Sequence, residues 1–321
     1  MRLTAALALA AALFATGAQS QQPYPNKTIR VINGFAPGGT FDFIARLWAQ
    51  KLGDSPGWKF VIDSKTGADG RIGTQECAKA PPDGYTLCIG GASVNAIHAS
   101  VFKSLPYDVA KDFVPVAFIG ITANILAVNP SVPAKTIPEF IVMAKREPGK
   151  FAFASAGTGT STHLAGEMFK DVAGLNLLHV PYKGGAPAIT AAIGNQVTMV
   201  VDNVSTVTPY VASGKLRGLA VTSLKRATSL PDVPTLDESG LRGFDVGLWY
   251  AYFIQSAAPR EVVQRLNTEF NRVLSLPDVR EQLYQRGIEP RPMTPAEAGA
   301  FVKSEIDRYG VIARKVGIAL E

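Results

Sequence analysis

Short β-branched apolar runs alternate along the chain with stretches in which apolar residues recur every three to four positions. "TIRVIN", "KFVID", "TLCIGG", "VPVAFIG" and "NILAVN" read as strands, and helices are predicted over 41–53, 71–80 and 94–103. After "NILAVNPSVPAKT" the pattern restarts. "PEFIVMAKRE" reads as a helix, "FAFASA" as a strand, "THLAGEMFKDVAG" as a helix, "LLHVPY" as a strand, "APAITAAIGN" as a helix, and "VTMVVDN" and "GLAVTS" as strands. This alternation predicts an α/β fold of two units, each a mainly parallel sheet flanked by helices.

Beyond about residue 223 the character changes. "SLPDVPTLDESGL" is turn-rich, and three amphipathic helices follow, punctuated by "PRP" and "MTP". Helices with almost no strands make a poor third domain, so they are expected to return and cover the first sheet. The expected organisation is therefore a discontinuous first lobe, 21–123 and 223–321, and a second lobe, 124–222. The chain crosses between them near Ala123–Ile125 and Val221–Ser223, and two lobes joined in this way enclose a cleft and hinge.

The first residues read as a secretory leader over 1–20. Arg2 gives a positive start, "LTAALALAAALFA" is apolar, and "TGAQS" offers small residues for cleavage after Ala18 or Ser20. The apolar run, about 13 residues, is short against the ~20 needed to span a bilayer. A location outside the cytoplasm is expected. The remaining ~300 residues, 18% charged and 47% hydrophobic in the whole chain, suit a globular protein with room for two domains. The net charge of +6 comes from scattered lysines and arginines, which fits a generally basic surface and no nucleic-acid partner. Cys77 and Cys88 are expected to form a disulfide outside the cytoplasm, stabilising by about 2–3 kcal/mol; the alternative is two reduced, buried thiols. Zinc needs more ligands than this region offers.

Two loops carry candidate chemistry. "GFAPGGTFD", residues 34–42, lies between a strand and a helix, where glycines let backbone amides approach a ligand and the helix presents its positive end. An anion is favoured, with Thr40 or Asp42 available as a helix cap. Gly34 and Gly39 are spaced as in a phosphate loop, but Thr40 stands where a lysine is required, so a nucleotide is disfavoured. "SAGTGTSTH", residues 155–163, also opens a helix. It lacks the third glycine of a dinucleotide site, and its Ser and Thr side chains suit carboxylate oxygens. Ser161 lacks the final glycine of a nucleophile elbow, and no partner can be assigned to His163 as a base. The histidines at 98, 163 and 179 lack metal spacing, so neither a metal nor a cofactor is expected.

The blocks "YPNKTIRVINGFAPGGTFDFIAR", "KTGADGRIGTQECAKAPPDGYTL", "LPYDVAKDFVPVAFIG", "HVPYKGGAPAITAAIGNQV", "LRGLAVTSLKR" and "LPDVPTLDESG" together resemble the Bug family, the TctC-like periplasmic binding proteins of tripartite tricarboxylate transport systems. The resemblance covers essentially the whole mature chain. It implies a two-lobed, type II periplasmic binding fold without catalytic activity that closes over a small carboxylated solute and delivers it to membrane permease subunits. It implies ligand contacts from Phe35, Ala36, Pro37, Gly38, Gly39, Thr40, Phe41 and Asp42 on one lobe. From the other it implies Ser155, Gly157, Thr158, Gly159, Thr160, Ser161 and His163. Ser93, Asp202, Asn203 and Trp249 match further pocket positions, where Asp202 either binds ligand or caps a helix and Trp249 either stacks on a flat ligand or fills core, while His179 and Tyr182 are assigned to packing near the cleft. The sequence departs from the family at Phe41, where a small polar residue is usual, so Phe41 either narrows the pocket or packs behind the loop. Neither loop contains an arginine, so carboxylate recognition is expected to rest on dipoles and waters. The alternatives are a ligand-sensing subunit that feeds a signalling partner and a secreted hydrolase using Ser161. A monomer is expected.

Overall fold

The computed structural model describes residues 24–319; the expected leader over 1–20 lies outside the described residues. The first unit runs β1 (Ile29–Asn33), α1 (Thr40–Gly53), β2 (Phe60–Ser64), α2 (Arg71–Ala78) and β3 (Thr86–Gly91). A π-helical turn, Ser93–Ile97, continues into α3 (His98–Val101), and α4 (Val109–Asp112) leads into β4 (Phe113–Val128). The second unit comprises α5 (Ile137–Arg146), β5 (Ala152–Ser155), α6 (Ser161–Ala173), β6 (Leu178–Pro181), α7 (Gly185–Ile193), β7 (Met199–Asn203), α8 (Val204–Ala212) and β8 (Arg217–Val221). The chain then returns through β9 (Gly247–Gln255), α9 (Arg260–Leu274), α10 (Pro277–Gln285), β10 (Glu289–Pro290) and α11 (Pro295–Lys315).

The strands are ordered β2-β1-β3-β9-β4-β7-β5-β6, with β8 and β10 also pairing to β4. The outer pairs β1–β2, β1–β3, β5–β6 and β5–β7 are parallel, as the strand–helix alternation predicts. The centre differs from the expectation of mainly parallel sheets: every pairing of β4 and β9 is antiparallel. The cause is the returning chain. β9 comes back from the second unit in the opposite direction and inserts between β3 and β4. The tail therefore contributes a central strand as well as helices. "GLWYAYFIQ" is buried from Leu248 to Gln255, and a strand covered on both faces shows no polar alternation to mark it.

"VPVAFIG" and "NILAVN" form one continuous strand. Residues 113–123 of β4 pair with β9, and residues 124–128 pair with β7, so a single strand serves both sheets. At the change of partner Thr222 ties the crossings together. Its hydroxyl accepts from the Asn124 amide at 2.9 Å and donates to the Val246 carbonyl at 2.6 Å. The second unit has a small-residue core that includes Ile125, Ala154, Ile189, Val200 and Val207. Cys77, at the end of α2, is bonded to Cys88 on β3 with the Cα atoms 6.1 Å apart, both residues being buried.

Candidate functional site

Between the two units lies a cavity of about 250 Å³. The first wall is the turn after β1. The Asn33 side chain accepts from the Phe35 amide at 3.0 Å, and Asp42 accepts from the Gly38 amide at 3.1 Å, which fixes the loop from within. Gly38 has φ 84°, a left-handed conformation that glycine adopts without strain. Gly34 is needed for another reason: a Cβ there would lie 2.7 Å from the Gly70 carbonyl oxygen. Burial raises the Asp42 pKa, but the Arg46 hydrogen bond and charge and the Gly38 amide outweigh it and hold the carboxyl below its ordinary value.

Asp42 is therefore a loop brace outside the cavity lining, and Gly39 takes the N-cap position without a side-chain cap. The amides of Gly39, Thr40 and Phe41 have no partner among the described residues and stand at the positive end of α1. Thr40 reaches across to the second unit, its hydroxyl 2.6 Å from that of Ser205. Phe41 has both of the roles expected of it. It is 8% exposed, stacks on Phe35 with ring centroids 4.5 Å apart, rests edge-on against Tyr250, and still lines the cavity.

The opposite wall begins after β5. Thr160 and Ser161 line the cavity; Ser155, Gly157, Thr158, Gly159 and His163 do not. Their groups satisfy one another instead. Ala156 donates to the Thr162 hydroxyl at 2.9 Å, Gly157 to the Ser155 hydroxyl at 3.2 Å, and Gly159 to Nδ1 of His163 at 3.2 Å. The Ser161 amide crosses the cleft to the Ser93 hydroxyl at 3.3 Å. This corrects the expectation that the whole 155–163 loop faces a ligand, because most of its amides already serve the turn.

The larger contribution comes from segments to which the sequence reading gives no role apart from Asp202 and Asn203. Gly184, Gly185, Ala186 and Pro187 line the cavity at the start of α7, and Asn203, Ser205 and Thr206 line it at the start of α8. His179 and Tyr182 do not. The starts of four helices, α1, α6, α7 and α8, thus converge on one cavity, and each adds partial positive charge. Glycine is required at 185, since a Cβ there would meet Oδ2 of Asp202 at 2.5 Å. Asp202 is 1% exposed. Its Oδ1 accepts from the Asn203 amide and the Thr206 hydroxyl, while Oδ2 has no partner. Burial pushes its pKa up to about 6.

Trp249 takes the core-filling one of its two expected roles. Strand alternation puts Leu248 in the cavity lining and turns Trp249 to the other face of β9, where it packs on Phe118, Phe253 and Phe301. Ser161 and His163 make no hydrogen bond to each other; the His163 ring stacks on His179 with centroids 4.0 Å apart. Burial, with help from Lys170, pushes the His163 pKa down to about 4, and burial with the His163 charge takes that of His179 to about 3. His163, Glu167 and His179 present potential metal-ligand atoms within 4.8 Å of one another, but both oxygens of Glu167 hold the Lys170 ammonium, at 2.9 and 2.7 Å. Ile189, Pro209 and Tyr210 also line the cavity without having been singled out in the sequence, as does Arg286, which follows α10.

The sequence profile of the tripartite tricarboxylate transporter family receptor matches residues 44–318. The chain belongs to that family. The receptor family is one of periplasmic solute-binding proteins rather than enzymes. Protein BugT of Bordetella pertussis is 34% identical over 326 residues, covering 100% of both chains. The structure of periplasmic binding protein BugD is similar with a TM-score of 0.88 and 33% identity, over 93% of this chain and 100% of that one. The structure of R. palustris Rpa4515 with adipate is similar with a TM-score of 0.89 and 33% identity, over 92% of this chain and 99% of that one. The two-lobed architecture is therefore that of the family.

Proposed function

We propose that this chain captures a small carboxylated solute in the periplasm and presents it, enclosed between two lobes, to the membrane permease subunits of a tripartite tricarboxylate-type transporter. The observation that carries this reading is the convergence of four helix N-termini on one cavity, with the Gly39–Phe41 amides unpartnered at its wall. Such a seat stabilises negative charge through fixed dipoles and needs no arginine on either loop. The adipate held by the related Rpa4515 supports a carboxylate. In this reading residues 1–20 are a leader removed on export, and the mature chain acts as a monomer. Lobes 21–123 with 223–321, and 124–222, move about the crossings near residues 123 and 222. Binding drives closure because the seat is complete only when both lobes contribute to it.

A thermal-shift screen of mono-, di- and aromatic carboxylates at millimolar concentration tests the proposal, with the corresponding primary amides as neutral controls. At least one acid is expected to raise the melting temperature where its amide does not. Equal shifts for acids and amides, or none for any acid, would overturn it.

A further inference from the structure

Trp249, turned away from the cleft, forms part of the wall of a second cavity, of about 530 Å³, and Leu248 is the only described residue that the two cavities share. A space of that size lies within the range of sites that hold small organic molecules. Its lining comes from both chain crossings, 121–123 and 223–228, from the start of β9 and from α11. Trp249 and Phe301 supply aromatic wall, with ring centroids 5.9 Å apart, and Ile121 and Leu224 add apolar surface. The Trp249 side chain is 1% exposed, and its indole N–H has no partner. A buried donor left unpaired costs stability, and the cavity that the indole lines is the space open to an acceptor for it.

The charges around this cavity divide into two groups. Arg226 is held by Glu238 at 2.9 Å and Arg308 by Glu305 at 2.7 Å. Lys225, Arg291, Asp245 and Glu289 are exposed, and their side chains make no hydrogen bond or ion pair with any described residue. The Arg291 guanidinium lies 5.6 Å from the centre of the Phe301 ring, which places one of these cations beside the aromatic wall. Burial raises the Asp245 pKa and the charge of Arg308 only partly offsets it, so this carboxylate gains by meeting a further cation. A singly charged molecule would satisfy one sign and leave the other facing it, whereas a molecule with both charges and an apolar body meets the two cations, the two carboxylates and the aromatic wall together. We propose that this cavity at the crossings is a second small-molecule site and that it takes a zwitterion with an apolar body, of the class of apolar α-amino acids. Such a site is independent of what the cleft binds.

The full mature chain labelled with ¹⁵N tests it, titrated with L-phenylalanine and L-leucine and read at the indole N–H resonance of Trp249. The chain has three tryptophans, so the resonance is assigned by Trp249→Phe or, if that variant does not fold, by elimination with Trp48→Phe and Trp58→Phe. At least one of the two amino acids should shift the Trp249 resonance at millimolar concentration. Its matched analogues that lack the ammonium (3-phenylpropanoate, 4-methylpentanoate) or the carboxylate (2-phenylethylamine, 3-methylbutylamine) should bind about fivefold more weakly, the upper end for an exposed charge pair. Arg291→Gln and Asp245→Asn, at exposed positions outside the cleft, should each weaken the amino acid by a similar factor, while Thr40→Ala, in the cleft, should leave it unchanged. No shift with either amino acid, analogues that bind as well as the parent, or unchanged affinity in both Arg291→Gln and Asp245→Asn would overturn the proposal. Loss of the effect in Thr40→Ala alone would overturn it too, by placing the amino acid in the cleft.

Discussion

Asp202 shows how one side chain can register the electrostatics of a cleft built from dipoles. Its carboxyl is fully enclosed, only one oxygen is hydrogen-bonded, and burial favours the protonated form. A raised pKa in the folded state gives a stabilising contribution that is complete below the unfolded value near 3.8 and is lost as pH rises through about 6. Asparagine preserves an acceptor for Thr206 and the Asn203 amide but does not titrate. The stability of Asp202→Asn relative to the natural protein, measured by urea unfolding, should therefore increase by about 2.5 kcal/mol between pH 4 and pH 7.5, most of the ~3 kcal/mol equivalent of the whole shift. A difference independent of pH would show that Asp202 is ionised throughout. The comparison must be made against the natural protein, because His163 and His179 act in the opposite direction. Their depressed pKa values, about 4 and about 3, remove stability as pH falls below the ordinary imidazole value of 6.5.

At the scale of elements, the covalent tie between α2 and β3 closes a short loop over a sequence separation of 11. Replacing Cys77 and Cys88 together by alanine should lower stability by about 3 kcal/mol in urea unfolding, the loop-closure value for that length. No loss would mean that the loop is already ordered in the unfolded chain. Such local features are also the ones a sequence discloses. Helices over 41–53 and 71–80 were legible because apolar spacing and glycine punctuation coincide there, and the structure places them at Thr40–Gly53 and Arg71–Ala78. The predicted helix over 94–103 is instead a π-helical turn followed by a short α-helix. β9 was not legible, since an apolar aromatic run without alternation gives no period to read. The cleft was half legible. "GFAPGGTFD" announces its chemistry through its glycines, whereas the apparent polarity of "SAGTGTSTH" is spent on internal hydrogen bonds. Arg286 could not be placed at all, because only the fold brings the turn after α10 to the wall formed by residues 35–41.

The whole molecule depends on how closely its lobes approach. Gly157, with φ 139°, brings the second lobe so near the first that a Cβ would lie 2.3 Å from Oδ1 of Asp69. Gly157→Ala should weaken binding of the best acid by about tenfold, the equivalent of the roughly 1–2 kcal/mol typical of such backbone strain. The same variant should show a smaller ligand-induced decrease in radius of gyration by solution scattering. A lower melting temperature with unchanged affinity and unchanged compaction would show that the contact is not part of closure. The order of assembly follows from another feature, the insertion of β9 between β3 and β4. On the export route proposed above, a chain emerging from its N-terminus delivers β5 to β8 well before residues 247–255, so the second sheet can form while β3 and β4 still lack the strand that joins them. Throughout that interval two apolar strand edges stand open to neighbouring chains. By that route, safe delivery depends on the tail arriving, or on something shielding those edges until it does.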